Sequence, residues 1–230
     1  GADGSGGDAA APEPGSYTAA ALREIIEEQY DGTGLLRRLS ELDVRALLSQ
    51  AGFPAEGCTP TTTISASQGE EFLDQLRKVL RLLLSIRHVW VLDDPHVVAS
   101  FDMDRRGAAR ALAREPAGTF VCRFPTSQPG SLVLTCKTLP GHKCADDDGL
   151  LHAIVGPDDL RTRRIDTWIL NFAGATHVLD PYRMKRVDKR KVFASDYLHL
   201  RSLDNKEFEL EAPHENATAR ASPPMTTSAT

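Results

Sequence analysis

Arg123 sits inside an apolar run, Gly118-Thr119-Phe120-Val121-Cys122-Arg123-Phe124, whose β-branched and aromatic content is that of a β-strand. A short polar loop separates it from a second such run, Pro129-Gly130-Ser131-Leu132-Val133-Leu134-Thr135. Strand side chains alternate between faces, so Phe120 and Cys122 point one way and Thr119, Val121 and Arg123 the other. A guanidinium on a covered sheet face needs an anion, because an unpaired buried charge costs several kcal/mol. No Asp or Glu occurs between Ala117 and Pro140. The local sequence therefore offers no partner and leaves room for one from outside the chain. Arginine's planar fork suits phosphate, which it can hold through two parallel bonds.

Other chemistry is weaker. His142, Cys144, Asp146, Asp147 and Asp148 mix metal-ligand types in one loop, but their spacing matches no familiar tetrahedral zinc site, so no metal is expected. Gly-x-Ser-x-Gly, Walker, kinase and His-Glu-x-x-His signatures are missing. The expectation is a non-enzyme without a cofactor. Glu27-Glu28 and Glu70-Glu71 fall in helical stretches and read as solvated faces. Cys58, Cys122, Cys136 and Cys144 show no paired spacing. With no apolar core in residues 1–16 to make a secretory signal, they read as reduced thiols, Cys122 and Cys136 as small apolar fillers. The sequon at Asn216 is then unused. A cytoplasmic or nuclear setting follows.

The elements that must position Arg123 can be read on either side of it. Asp104 is a good N-cap for a helix that runs to about Arg114 and stops at Pro116 and Gly118. Strands follow at 119–124, 130–137 and 150–155. Asp158 or Asp159 could cap a helix to about Phe172. A short apolar stretch at 176–179 precedes Pro181, and a last helical piece covers 189–200. Upstream, Leu22, Ile25 and Ile26, then Leu35, Leu36 and Leu39, then Val44, Leu47 and Leu48 recur at helical spacing. Gly32 and Gly34 break the first pair, and Asp43 is a candidate cap for a third short helix. A Thr/Ser-rich loop at 57–68 precedes a strong amphipathic helix over 69–86. The order describes an α+β fold, a central antiparallel sheet flanked by helices, preceded by a small all-helical domain. The expected division is a disordered segment at 1–16, a helical domain at 17–94, the sheet domain at 95–203 and a disordered tail at 204–230.

The 230 residues are 41% hydrophobic and 26% charged, a globular balance. The net charge of −5 gives no global attraction to nucleic acid. Basic runs at 161–164 and 183–191 read as solvated helix faces. No stretch approaches the ~18 apolar residues of a membrane span. The lack of an initiator Met points to a fragment.

The run from Gly118 to Phe124 resembles the phosphotyrosine-pocket strand of Src-homology-2 domains, a Gly-Thr-Phe-apolar-apolar-Arg pattern. Residues 129–135 resemble that family's next strand. The helix after Asp104, with Ala111-Leu112, falls where its first helix lies, and Leu150-Leu151-His152-Ala153-Ile154 resembles the strand whose histidine faces the pocket. The variant is similar to the STAT type (signal transducer and activator of transcription): Arg123-Phe124-Pro125-Thr126-Ser127 replaces the Arg-Glu-Ser of kinase-linked relatives. Lys189 to Tyr197 resembles the closing region of STAT proteins, with Arg190 in place of an aspartate. The resemblance covers about Val97 to Leu200.

It implies that Arg123 grips the phosphate and that Arg105 reaches the phosphate or the tyrosine ring. It implies also that Thr126 and Ser127 donate to the phosphate from the loop and that His152 holds the ring. Pro125 departs from the usual serine and removes two donors. The implied function is a non-catalytic phosphotyrosine-binding module whose partner is a tyrosine-phosphorylated peptide or protein. Two alternatives stand beside it. One is a fragment of a STAT-like transcription factor that homodimerises through phosphotyrosine, with DNA contacts made elsewhere. Of the tyrosines Tyr17, Tyr30, Tyr182 and Tyr197, dimerisation would then use Tyr197 or Tyr17, unless the chain lacks the tyrosine-bearing tail or reads partners instead of itself. The other is an interaction scaffold without phosphotyrosine binding.

Overall fold

A computed structural model describes residues 15–193. The chain is mixed α and β, with a five-stranded sheet flanked by helices. Residues 1–14 of the segment expected to be disordered at 1–16, the tail expected at 204–230, and residues 194–203 of the expected sheet domain, with Tyr197, lie outside the described residues.

The first half is helical because its apolar residues recur every three or four positions behind well-formed caps. Helix α1 (Ala19–Asp31) starts at Thr18, whose hydroxyl accepts from Ala21 N. Helix α2 (Glu41–Gln50) starts at Ser40 in a capping box with Asp43, so Asp43 is the third helical residue and not the cap. Helix α3 (Ala66–Ser85) starts at Ser65, boxed with Gln68. It begins three residues before Gly69 because Ser65 satisfies the orphan amides there. A one-turn α4 (Arg87–Trp90) follows. The helix expected around Leu35 to Leu39 does not form: the two glycines end α1, and Leu36 is 83% exposed. Two short strands, β1 (Tyr17–Thr18) and β2 (Thr63–Ile64), pair antiparallel and close this half.

Helix α5 (Arg105–Leu112) is capped by Asp104, as its sequence predicts. Strands β3 (Thr119–Arg123), β4 (Leu132–Lys137) and β5 (Leu150–Val155) form an antiparallel meander. The helix expected over 158–172 is broken into α6 (Pro157–Thr162) and α7 (Ile165–Asn171), and α6 is capped at Gly156. The break falls at Arg163 and Arg164, both extended. It lets α7 turn Ile165 and Ile169 into the core. The apolar stretch after it becomes β6 (His177–Asp180), which pairs with β7 (Lys185–Asp188) and runs parallel to β3. The sheet, ordered β5-β4-β3-β6-β7, is thus not wholly antiparallel; the crossover through α6 and α7 carries the chain back so that β6 runs in the same direction as β5 and β3.

The basic run at 183–191 is not one helix face. It makes β7 and the short α8 (Lys189–Val192). Arg183 and Lys185 pair with Asp94, and Arg186 with Glu115. Lys189 is buried and donates to the carbonyls of Ile169 and Phe172 at the end of α7. In the earlier run, Arg161 pairs with Asp158 on exposed α6, while Arg164 is half-buried beside Asp166.

Both faces of the sheet are covered. Phe120, Cys122, Leu134 and Cys136 join a core that includes Leu22, Leu76, Leu83 and Trp90 of the helical half. On the opposite face, Val121, Leu150 and Leu179 pack against Ala108 and Leu112 of α5. Among the described residues, no helix is long and apolar enough to cross a membrane.

Candidate functional site

The register of the meander sets up the site. Cross-strand partners share a face, so Val121, Thr135 and His152 form one row on the α5 side, and Arg123, Val133 and Ile154 the next. Arg123 is therefore on the face that its alternation predicts, and it is 7% exposed. Phe124, one residue on, points away into the aromatic core, stacked on Phe101 at 4.5 Å and edge-on to Trp90 at 5.7 Å. That anchor holds the end of β3 and with it the guanidinium.

Arg123 makes no ion pair among the described residues. Its Nε donates to the Thr135 hydroxyl at 3.2 Å. Burial, then the nearby positive charge of Arg105, lowers its pKa from the usual arginine value, with Asp104 opposing them. Thr135 is wholly buried and also meets His152 Nδ1 at 3.0 Å. His152 Nε2 lies 3.0 Å from Asp146 Oδ2, and Arg105 Nη2 donates to the same oxygen at 2.8 Å. Because Nε2 faces a carboxylate, it carries a proton; in the neutral ring Nδ1 then accepts from the Thr135 hydroxyl. One chain of polar contacts thus runs Arg123, Thr135, His152, Asp146, Arg105.

Local structure explains each position. Arg105 is the first residue of α5, put there by Asp104, whose Oδ1 accepts from Gly107 N at 2.5 Å. The apolar contacts of Ala108 and Leu112 fix α5 over the sheet. Asp146 is fixed by its own loop: Oδ1 accepts from Asp148 N at 3.1 Å and Leu150 N at 2.9 Å. Desolvation pushes the Asp146 carboxyl up. The bonds from Arg105, Leu150 N and His152 outweigh it and hold the group well below the usual carboxylate range.

Of the five residues singled out by sequence, Arg123, Arg105 and His152 belong to this network. Thr126 and Ser127 follow Arg123 in the β3–β4 loop, are exposed, and bond to no other described residue through their side chains. Pro125 lines a small cavity with Leu47, Phe101 and Phe124, which turns the loop's start toward the helical half. Gly130 closes the loop at φ 84°, where a Cβ would meet Lys78 Cβ at 3.1 Å and Lys78 O at 3.2 Å, so the loop lies tight on α3.

Two members were not singled out for this role. Thr135 is the one hydroxyl within the apolar part of β4, and its pairing opposite Val121 and His152 shows only once register is known. Asp146 stood in a loop weighed for metal; its carboxylate instead faces Arg105 and His152. Among the described residues no group of three or more His, Cys, Asp or Glu is placed to hold a metal ion.

Arg123 is a buried cation without a carboxylate partner among the described residues, and the exposed Arg105, paired with Asp146, is a second cation at the rim. No protein-family model matches the chain, and no curated protein matches it in sequence.

Proposed function

We propose that the chain is a non-catalytic phosphotyrosine-binding module of the Src-homology-2 type, close to the STAT variant, with α1–α4 as a small helical domain in front. Its partner is a tyrosine-phosphorylated peptide or protein. The observation that carries this reading is Arg123: buried on the sheet face, without a carboxylate among the described residues, and joined through Thr135 and His152 to the side where Arg105 enters from α5. A buried guanidinium of this kind is stabilised by a phosphate bearing ~−1.5 to −2 charges. Thr126 and Ser127, exposed beyond it, are free to donate. The free thiols of the described cysteines fit a cytoplasmic or nuclear setting.

A second reading, an interaction scaffold without phosphate capture, draws on Pro125 and on the engagement of Arg105 and His152 by Asp146. For the dimerising alternative, Tyr30 is a poor modification site, being 3% exposed and bonded to Trp90.

Fluorescence anisotropy with a degenerate phosphotyrosine peptide pool, against its unphosphorylated counterpart, separates the first two. The expected result is phosphate-dependent binding that Arg123→Ala weakens by ~2–5 kcal/mol. Equal, weak binding of both pools to the folded wild type would replace this reading with the scaffold.

A further inference from the structure

Two of the site's donors already hold an anion. Arg105 Nη2 and His152 Nε2 converge on one oxygen, Asp146 Oδ2, at 2.8 and 3.0 Å. The other oxygen is committed to the backbone: Oδ1 accepts from Asp148 N and Leu150 N. The loop closes around it as Asp146 N donates to Leu150 O and Gly149 N to Asp146 O, both at 2.9 Å. The carboxylate is therefore a fixed part of the turn that leads into β5. It cannot swing away while the turn is intact.

We propose that Asp146 is a built-in competitor for the phosphate, an internal anion that sets the affinity and charge selectivity of the site. The proposal rests on the phosphotyrosine reading above. A bound phosphate meets no competitor at Arg123, since that cation has no carboxylate among the described residues. To recruit Arg105 and His152 it must take their donors from Asp146. Arg105 is 64% exposed, and ion pairs this open are worth little, so the exchange is within reach of a phosphate dianion. It is not favoured for a carboxylate, which brings no more charge than Asp146 already supplies. Because Oδ1 stays tied to the turn, the freed Asp146 charge remains beside the bound phosphate and repels it. Binding is thus weaker than the cations alone would give, and a glutamate or aspartate on a peptide does not substitute for phosphotyrosine.

Asp146→Asn tests this, since the amide oxygen can keep the two backbone bonds while the amide nitrogen, a donor, replaces the oxygen shared by Arg105 and His152 and so removes the charge and releases both. Asp146→Ser, which keeps a small acceptor, is the second variant. Both are compared with wild type and Arg123→Ala, as the full chain, by anisotropy with the same phosphotyrosine peptide pool, and thermal melting verifies that each is folded. The expected result is roughly 5- to 100-fold tighter phosphate-dependent binding in the folded Asp146 variants. Binding that appears only in those variants supports the proposal equally. Unchanged or weaker binding in them, with wild type binding through Arg123, overturns the proposal and leaves the phosphotyrosine reading intact. Absence of phosphate-dependent binding in wild type and in both variants overturns the two together.

Discussion

The Arg123 guanidinium and the Thr135 hydroxyl are 3.2 Å apart on neighbouring strands, and Thr135 is the only described side chain that Arg123 bonds. The same hydroxyl also meets His152, so one small polar atom orients both the guanidinium and the imidazole. Thr135→Val keeps the shape and removes that atom. Leaving Arg123 Nε and His152 Nδ1 without it should cost about 1–3 kcal/mol of stability. On the proposed function it should also weaken phosphopeptide binding several-fold. Urea titration and anisotropy measure the two effects; full-strength binding by a destabilised variant would show that Thr135 serves the fold alone.

The helical half and the sheet are joined through Trp90. Its Nε1 donates to the Tyr30 hydroxyl at 2.8 Å, that hydroxyl donates to Arg37 O, and the Arg37 guanidinium lies 3.8 Å above the Trp90 ring. Arg37 then reaches Val98 O and Ser100 Oγ, beside β3. Tyr30→Phe strands the indole N–H and should cost about 1–3 kcal/mol. Trp90→Ala also empties core volume and should cost about 3–5 kcal/mol. Circular-dichroism melts of the variants would check both, and a near-neutral Tyr30→Phe would show that the buried N–H finds another acceptor.

What could be read from sequence follows how local the cause is. Asp104 capping α5 and the alternation that puts Arg123 opposite Phe120 need only a few neighbouring residues. The limits of β5 were legible for the same reason. Leu35, Leu36 and Leu39 have helical spacing but no cap and two glycines ahead of them, and propensity lost to that turn. The parallel pairing of β6 with β3 depends on where α7 docks, a contact distant in sequence. So does the Asp146 carboxylate, whose partner Arg105 lies 41 positions upstream.

The four cysteines divide into two classes. Burial pushes the Cys122 thiol up to about 12 and the Cys136 thiol to about 11, and both pack in the core. Cys58 and Cys144 are exposed. Since the thiolate is the reactive form, a disulfide dye should label Cys58 and Cys144 quickly in the native protein and Cys122 and Cys136 only on unfolding. Mass mapping of the labelled peptides reads this directly; rapid native labelling of Cys122 would contradict the packing of β3.

Asp180 predicts how the fold responds to acid. It is fully buried and accepts from the backbone amides of His96, Tyr182 and Arg183 and from the His96 ring. Desolvation raises its pKa, but these bonds outweigh it and leave the group below its ordinary value. A carboxylate depressed in the folded state stabilises the protein above its unfolded pKa. The contribution fades as pH falls from about 4, the usual Asp value, through the folded value. Asp180→Asn removes this dependence. It should cost roughly 3 kcal/mol at pH 7, because the β6–β7 turn loses a charged acceptor. The variant's stability should then fall less steeply than the wild type's between about pH 5 and pH 2. Denaturant midpoints across that range give the comparison; parallel curves for the two proteins would mean that other carboxylates set the acid limit.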